Sequence, residues 1–141
     1  MIAADTNILV RLLSRDDEEQ FLRAYQLFNE NRVFISTTVV LECERVLRYA
    51  YKLPAHEFTN AMHRLFGLEN IELEAAERVA AALSWHEDGI DFADALHLTA
   101  TPENSTFYTF NEKLIKCAAN LLGRSVQSPK PILFKTHLDR C

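Results

Sequence analysis

The chain has 141 residues, 48% of them hydrophobic and 25% charged, with a formal net charge of −5. That length and apolar content fit one domain with a real core and exclude a disordered chain. The negative balance excludes a whole-surface basic footprint for nucleic acid, but not an enzyme that gathers acids around metal ions. No apolar run approaches the ~18 residues that would cross a bilayer. The start "MIAADTNILV" lacks a basic region, so no secretory signal is expected. Cys43, Cys117 and Cys141 share no CxxC spacing and read as reduced thiols of a cytoplasmic protein.

"MIAAD" reads as a first strand ending in an acid. "TNILVRLLSR" follows with apolar residues at Ile8, Leu9, Leu12 and Leu13, a helical period. "DDEEQFLRAYQLFNEN" predicts a second helix with acids in its first turn, where the helix dipole favours them. Phe21, Leu22, Tyr25 and Phe28 form its expected buried stripe. "RVFIST" predicts a second strand. Thr37 or Thr38 is the expected cap of the helix "VVLECERVLRYAYK", which Pro54 ends. "AHEFTNAMHRLFGL" is helical and closes near Gly67, and "IELE" suits a short strand. "AAERVAAALSWHE" predicts a helix stopped at Gly89, followed by another from "GIDFADALHL" to about Ala100. "STFYTF" predicts a strand, "NEKLIKCAANLLG" a helix with Gly123 as its stop, and "SVQS" a last strand. Short strands alternating with longer helices favour a parallel sheet covered by helices, with ligands at the carboxyl ends of its strands. No internal repeat or domain boundary is visible, and residues 129–141 form a Pro-punctuated tail.

The acids fall at revealing places. Asp5 ends the first strand, where it can cap the next helix or sit at the sheet edge where α/β sites are built. Glu42 lies within the third helix, where it can pair with Arg45 at i+3 or face the carboxyl end of "VFIS". Glu44 is the expected solvent-facing comparison. Asp91 and Asp94 are spaced as a capping box, which explains Asp91 better than Asp94, because the box prefers the longer Glu or Gln at its second position. Asn111 follows "FYTF" as a good N-cap. Each residue alone has a structural explanation. Together, Asp5, Asp94 and Asn111 occupy strand–helix junctions or helix starts, and Glu42 follows one closely. Carboxylates that converge repel unless cations neutralise them, and hard divalent ions take such oxygen ligands.

The motifs "ADTNILV", "STTVVLECERVL", "DFADALHL" and "FYTFNEKLIK" occur in order and at family-like spacing. With them the chain resembles PIN-domain nucleases, and among these the VapC-type toxins of toxin–antitoxin pairs. The resemblance implies a three-layer α/β/α fold with a small central parallel sheet over residues 1–128. It implies an endoribonuclease dependent on Mg²⁺ or Mn²⁺, with catalytic acids at Asp5, Glu42 and Asp94. Asp5 and Asp94 would hold the metal, and Glu42 would bind it or orient the attacking water. Thr6 would bond a carboxylate or phosphate oxygen, and Asp91 matches a further acid of the subgroup. The fourth acidic position falls on Asn111, a departure that puts a second metal in doubt. RNA as substrate, a cognate antitoxin and a homodimer complete what the resemblance implies.

Arg11, Arg15, Arg45, Arg48, Lys113 and Lys116 lie on segments expected to face the site, although for each a solvated helix charge is the simpler reading. Trp85, Tyr49 and Tyr51 suit core or interface better than base stacking. The histidines His56, His63, His86, His97 and His137 show no zinc-site spacing. A non-catalytic PIN-like module that binds RNA or a protein is the alternative from another class. Asn111 favours it, and the intact Asp5, Glu42 and Asp94 oppose it.

Overall fold

The computed structural model describes residues 1–120 and 124–132. Gly123, His137, Cys141 and the tail beyond residue 132 lie outside the described residues. The chain forms two compact units, Met1–Ala100 and Thr101–Cys141.

The first unit contains a three-stranded sheet. Strand β1 (Ile2–Ala3) lies beside β2 (Val33–Ile35), which lies beside β3 (Ile71–Leu73), and both pairings are parallel. Ile2 pairs with Val33, and Val33 with Ile71. Parallel neighbours cannot be joined by a hairpin and need long crossovers. Here each crossover is a pair of helices. Helices α1 (Thr6–Ser14) and α2 (Glu18–Glu30) join β1 to β2, and α3 (Thr37–Tyr51) and α4 (Ala55–Phe66) join β2 to β3. After β3 come α5 (Ala76–Glu87) and α6 (Phe92–Ala100). The second unit holds β4 (Thr106–Tyr108), α7 (Glu112–Ala118) and β5 (Ser125–Gln127), with the two strands again parallel. The class is therefore the expected one, a helix-rich α/β structure with a small parallel sheet consistent with the PIN-like fold.

The core of the first unit forms on the central strand. Val33 and Ile35, two apart and so on one face, are fully buried, as are Leu9, Val40, Phe58, Met62, Val79 and Phe92. Local chemistry fixes the entries to the helices. Asp5 is extended, and its Oδ1 accepts the Thr6 amide at 2.7 Å at the start of α1. Ser36 is the cap of α3, its Oγ accepting from the Val39 amide at 3.3 Å. The expectation of Thr37 or Thr38 is corrected: the Thr37 amide donates instead to Glu74 Oε1 at 2.9 Å, from the residue that follows β3. Helix α3 stops at Tyr51, before Pro54. Lys52 turns left-handed at φ 56°, and its amide and that of Leu53 both return to the Leu47 carbonyl, the latter at 3.0 Å, which satisfies a carbonyl of the last turn. Pro54 instead opens α4.

Two burial expectations are overturned. On α2 the buried residues are Ala24 and Phe28, while Leu22 and Tyr25 are each 54% exposed. Ala24 and Phe28 lie four residues apart on one face of the helix, and Leu22 and Tyr25 fall outside that face. On α3 the assignment of the two glutamates reverses. Glu42 is exposed, and Glu44 is buried at 2% exposure. Two residues along a helix is about 200° of rotation, so the two acids face opposite ways.

Candidate active site

The carboxyl edge of the three-stranded sheet is where β1, β2 and β3 hand over to Asp5, Ser36 and Glu74. Beside it lies a cavity of about 400 Å³ whose lining includes Asp5, Thr6, Asn7, Arg11, Glu42 and Tyr51. Thr6 links the two acids in this lining. Its amide binds Asp5 Oδ1, and its hydroxyl donates to Glu42 Oε2 at 3.0 Å. Thr6 is itself buried, so the hydroxyl has little access to water and is held to this partner. Residues from two segments, 36 positions apart, are thereby joined. Glu42 makes no ion pair with Arg45 among the described residues, so its neighbour is the threonine of α1 and not its own helix.

A second cavity of about 510 Å³ shares Asn7 and Arg11 with the first and is also lined by Gln20, Arg23, Ala24 and Leu27. It is the larger of the two but contains no carboxylate, so the chemistry is assigned to the smaller one. Arg11, between them, is heavily committed. It donates to Asp16 at 2.9 Å and 3.1 Å, to Gln20 at 2.6 Å and to Tyr51 at 3.3 Å. The Tyr51 hydroxyl also bonds Asp16, and these bonds, with one from Ser14, hold the Asp16 carboxyl down at about 2. Tyr51 was expected in core or interface, yet it lines the acid-bearing cavity. The signal was the helical period from Glu42 through Val46 and Ala50, which carries that face to the end of α3. Arg15 pairs with Glu18 and Arg48 with Glu44 and Asp91, so these arginines are not free phosphate ligands.

Asp91 and Asp94 open α6. Asp91 Oδ2 accepts the Asp94 amide at 3.3 Å, the cap that their spacing predicts. Asp91 also accepts from Arg48 Nη1 at 2.9 Å through its other oxygen. Burial pushes the Asp91 carboxyl up, but the Arg48 bond, the Asp94 amide and the Arg48 charge outweigh it and hold the group below its ordinary range. Asp94 is half-buried. Burial, and then the charge of Asp91, raise its carboxyl above the ordinary range. Asp94 is not part of the cavity lining that holds Asp5 and Glu42. Asn111 belongs to the second unit. Its Oδ1 accepts the Leu114 amide at 3.2 Å, so it caps α7 as expected.

His86 is a residue that motif reading passed over. It is buried against Phe58 and Phe92, and its Nδ1 lies 2.7 Å from the Ile90 carbonyl. A carbonyl only accepts, so this nitrogen carries the proton. Gly89, at φ 105°, makes the turn that follows α5, in a region side chains rarely enter. Together these features fix the approach to Asp91.

The sequence pattern of the PIN domain matches residues 2–120. The chain belongs to the PIN domain family. No curated protein matches it significantly. PIN domains are generally metal-dependent nucleases and typically use divalent ions such as Mg²⁺. The donors of this PIN domain suit such an ion chemically, because Asp5, Thr6 and Glu42 offer only oxygen. One Asp5 oxygen is occupied by the Thr6 amide, and Oδ2 has no hydrogen-bond partner among the described residues. Among those residues no group of three or more His, Cys, Asp or Glu side chains is arranged to hold a metal ion. None of the helices they form is long and apolar enough to cross a membrane.

Proposed function

We propose that this PIN domain is an endoribonuclease dependent on Mg²⁺ or Mn²⁺, the toxin of a toxin–antitoxin pair acting in the cytoplasm. The observation that carries the reading is the Asp5–Thr6–Glu42 linkage in an open cavity at the carboxyl edge of a parallel sheet. Its family is one of metal-dependent nucleases. Asp5 and Asp94 would hold the ion, and Glu42 would accept a proton from the attacking water. When bound, the ion would make water more acidic and neutralise charge on the phosphodiester. Thr6 keeps Glu42 aimed by donating to Oε2, which leaves Oε1 for the water. Asp91 serves as cap and ion-pair partner at the start of α6. Asn111 offers a neutral carbonyl oxygen that is engaged with its own helix, which favours chemistry with one ion. Residues 1–128 form the nuclease domain in this reading, and residues 129–141 a tail. An antitoxin segment and a second copy of the chain are its protein partners.

Incubating the chain with structured RNA and Mn²⁺, beside Asp5→Ala, Asp94→Asn and an EDTA control, tests the reading. Cleavage at few sites, abolished by all three and leaving 5′-phosphate and 3′-hydroxyl ends, is the expected result. Cyclic phosphate ends would show attack by the RNA's own 2′-hydroxyl and sink the assignment of Glu42. One observation favours a second reading, a non-catalytic module that binds RNA or protein: the described residues hold no three-carboxylate group. That reading predicts RNA retention without cleavage.

A further inference from the structure

We propose that Glu44, Arg48 and Asp91 form a positioning relay that sets where α6 begins, and with it the placement of Asp94 relative to the helix that carries Glu42. Arg48 lies on α3, one turn after Glu44, with Nε 3.1 Å from Glu44 Oε2. Its Nη1 lies 2.9 Å from Asp91 Oδ1. Asp91 in turn holds the Asp94 amide through Oδ2. One guanidinium thus connects a glutamate within α3 to the capping residue of α6. A planar guanidinium with separate donors can hydrogen-bond one carboxylate through Nη1 while its charge faces another.

The burial pattern singles out this relay from surface ion pairs. Glu44 is 2% exposed, and its Oε1 has no hydrogen-bond partner. The Arg48 Nε contact to Oε2 is close but misaligned for a hydrogen bond, so it acts mainly through charge. A buried ion pair contributes little net stability over an apolar pair of equal size. The sequence nevertheless keeps a glutamate at a position that Leu or Met would fill. The return for that arrangement is geometric. Asp91 is fixed from one side by Arg48. The backbone just before it is fixed from the other, by His86 on the Ile90 carbonyl and by the Ile90 amide on Trp85 O at 3.1 Å. Glu42 meanwhile faces the cavity from the opposite side of α3. The two faces of one helix therefore carry one candidate catalytic acid and the link to another.

The kinetic part of this inference rests on the nuclease reading, and its structural part does not. The variant to use is the double Arg48→Met, Glu44→Gln, which removes the relay without stranding a lone buried charge. Single Glu44→Gln serves as its control, because it keeps the Arg48–Asp91 contact. Amide hydrogen exchange and RNA cleavage kinetics are measured on the full chain. The expected result is a double variant that still unfolds cooperatively, with exchange at residues 92–95 faster by about tenfold or more relative to α4. Its kcat falls about ten- to a hundredfold, as for other supporting residues around a site, while KM for RNA stays within about twofold. Glu44→Gln, which removes the charge that anchors Arg48 but keeps the Arg48–Asp91 contact, gives a smaller rise in exchange and a smaller fall in kcat in the same direction. Unchanged exchange at residues 92–95 overturns the relay, and so does a uniform rise across the first unit with kcat per folded molecule unchanged. If the native chain cuts no RNA, the nuclease reading fails, and the exchange pattern alone decides the relay.

Discussion

Replacing Arg48 alone by Met leaves the buried Glu44 without its ion-pair partner, and the cost can be worked from its surroundings. Breaking a buried ion pair by removing one partner typically costs about 3–5 kcal/mol. Arg48 itself is about one-third exposed, with a side-chain exposure of 34%, so part of its charge is already screened and the lower half of that range applies. A ceiling comes from the escape open to Glu44, which is to take up a proton. An ordinary glutamate at 4.5 lies about 2.5 pH units below neutrality, and at about 1.36 kcal/mol per unit protonation costs about 3.4 kcal/mol. The expected loss at neutral pH is therefore about 3 kcal/mol. Its pH dependence has a definite sign. Burial already holds the Glu44 carboxyl above its ordinary value, so the fold favours the protonated form, and removing Arg48 strengthens that preference. The deficit of the variant is smallest in acid, where Glu44 is neutral in both states. It grows as the pH rises through the folded value and then levels off. Urea unfolding of native and Arg48→Met protein at about pH 5 and about pH 8 measures this directly. A loss under about 1 kcal/mol, or one equal at both pH values, refutes the buried-charge argument and shows that water reaches Glu44 once the arginine is gone.

Thr6→Val keeps the shape of the side chain and removes the hydroxyl that holds Glu42. A bond to an exposed carboxylate contributes about 1 kcal/mol and the added buried methyl returns about 0.8 kcal/mol, so thermal stability should hardly move. RNA cleavage should nonetheless fall about tenfold, and equal activity by initial rates would remove Thr6 from the site. For Asp16, bonds from Tyr51 and Ser14 lower its carboxyl from 3.8 to about 2, so its contribution to stability is complete above the ordinary value and disappears as the pH falls towards about 2. In Asp16→Asn that acid limb should flatten in urea midpoints followed against pH, and an unchanged limb places the responsible carboxylate elsewhere. Burial, and then the charge of Glu44, push the Cys43 thiol up to about 12, so maleimide should leave Cys43 unlabelled in the folded chain and label it in urea. Peptide mass mapping that finds Cys43 labelled in the folded protein as readily as Cys117 would contradict its burial.

The sequence by itself determined the class and order of the elements, because period and punctuation are local. Apolar spacing in "TNILVRLLS" makes a helix, "VFI" is short and β-rich, and "IEL" suits a short strand. Asp91 with Asp94, and Asn111 with Leu114, form caps within one turn, so residues three apart were enough to read them. The Asp5 strand end was legible for the same reason. Only the tertiary structure decided what each helix face meets. Whether Glu42 or Glu44 turns to water depends on what packs against α3, and both acids look alike in a local window. Burial of Ala24 in place of Leu22 and Tyr25 depends on which face of α2 packs inward, which hydrophobicity does not encode. Capping by Ser36 in place of Thr37 depends on Glu74, 37 residues further on, reaching the Thr37 amide. The Thr6–Glu42 bond and the Arg48–Asp91 pair likewise join residues about 40 positions apart. Local propensity specifies which residues start and stop an element. The direction of a charged side chain is set by desolvation and by partners that arrive only when the chain closes on itself.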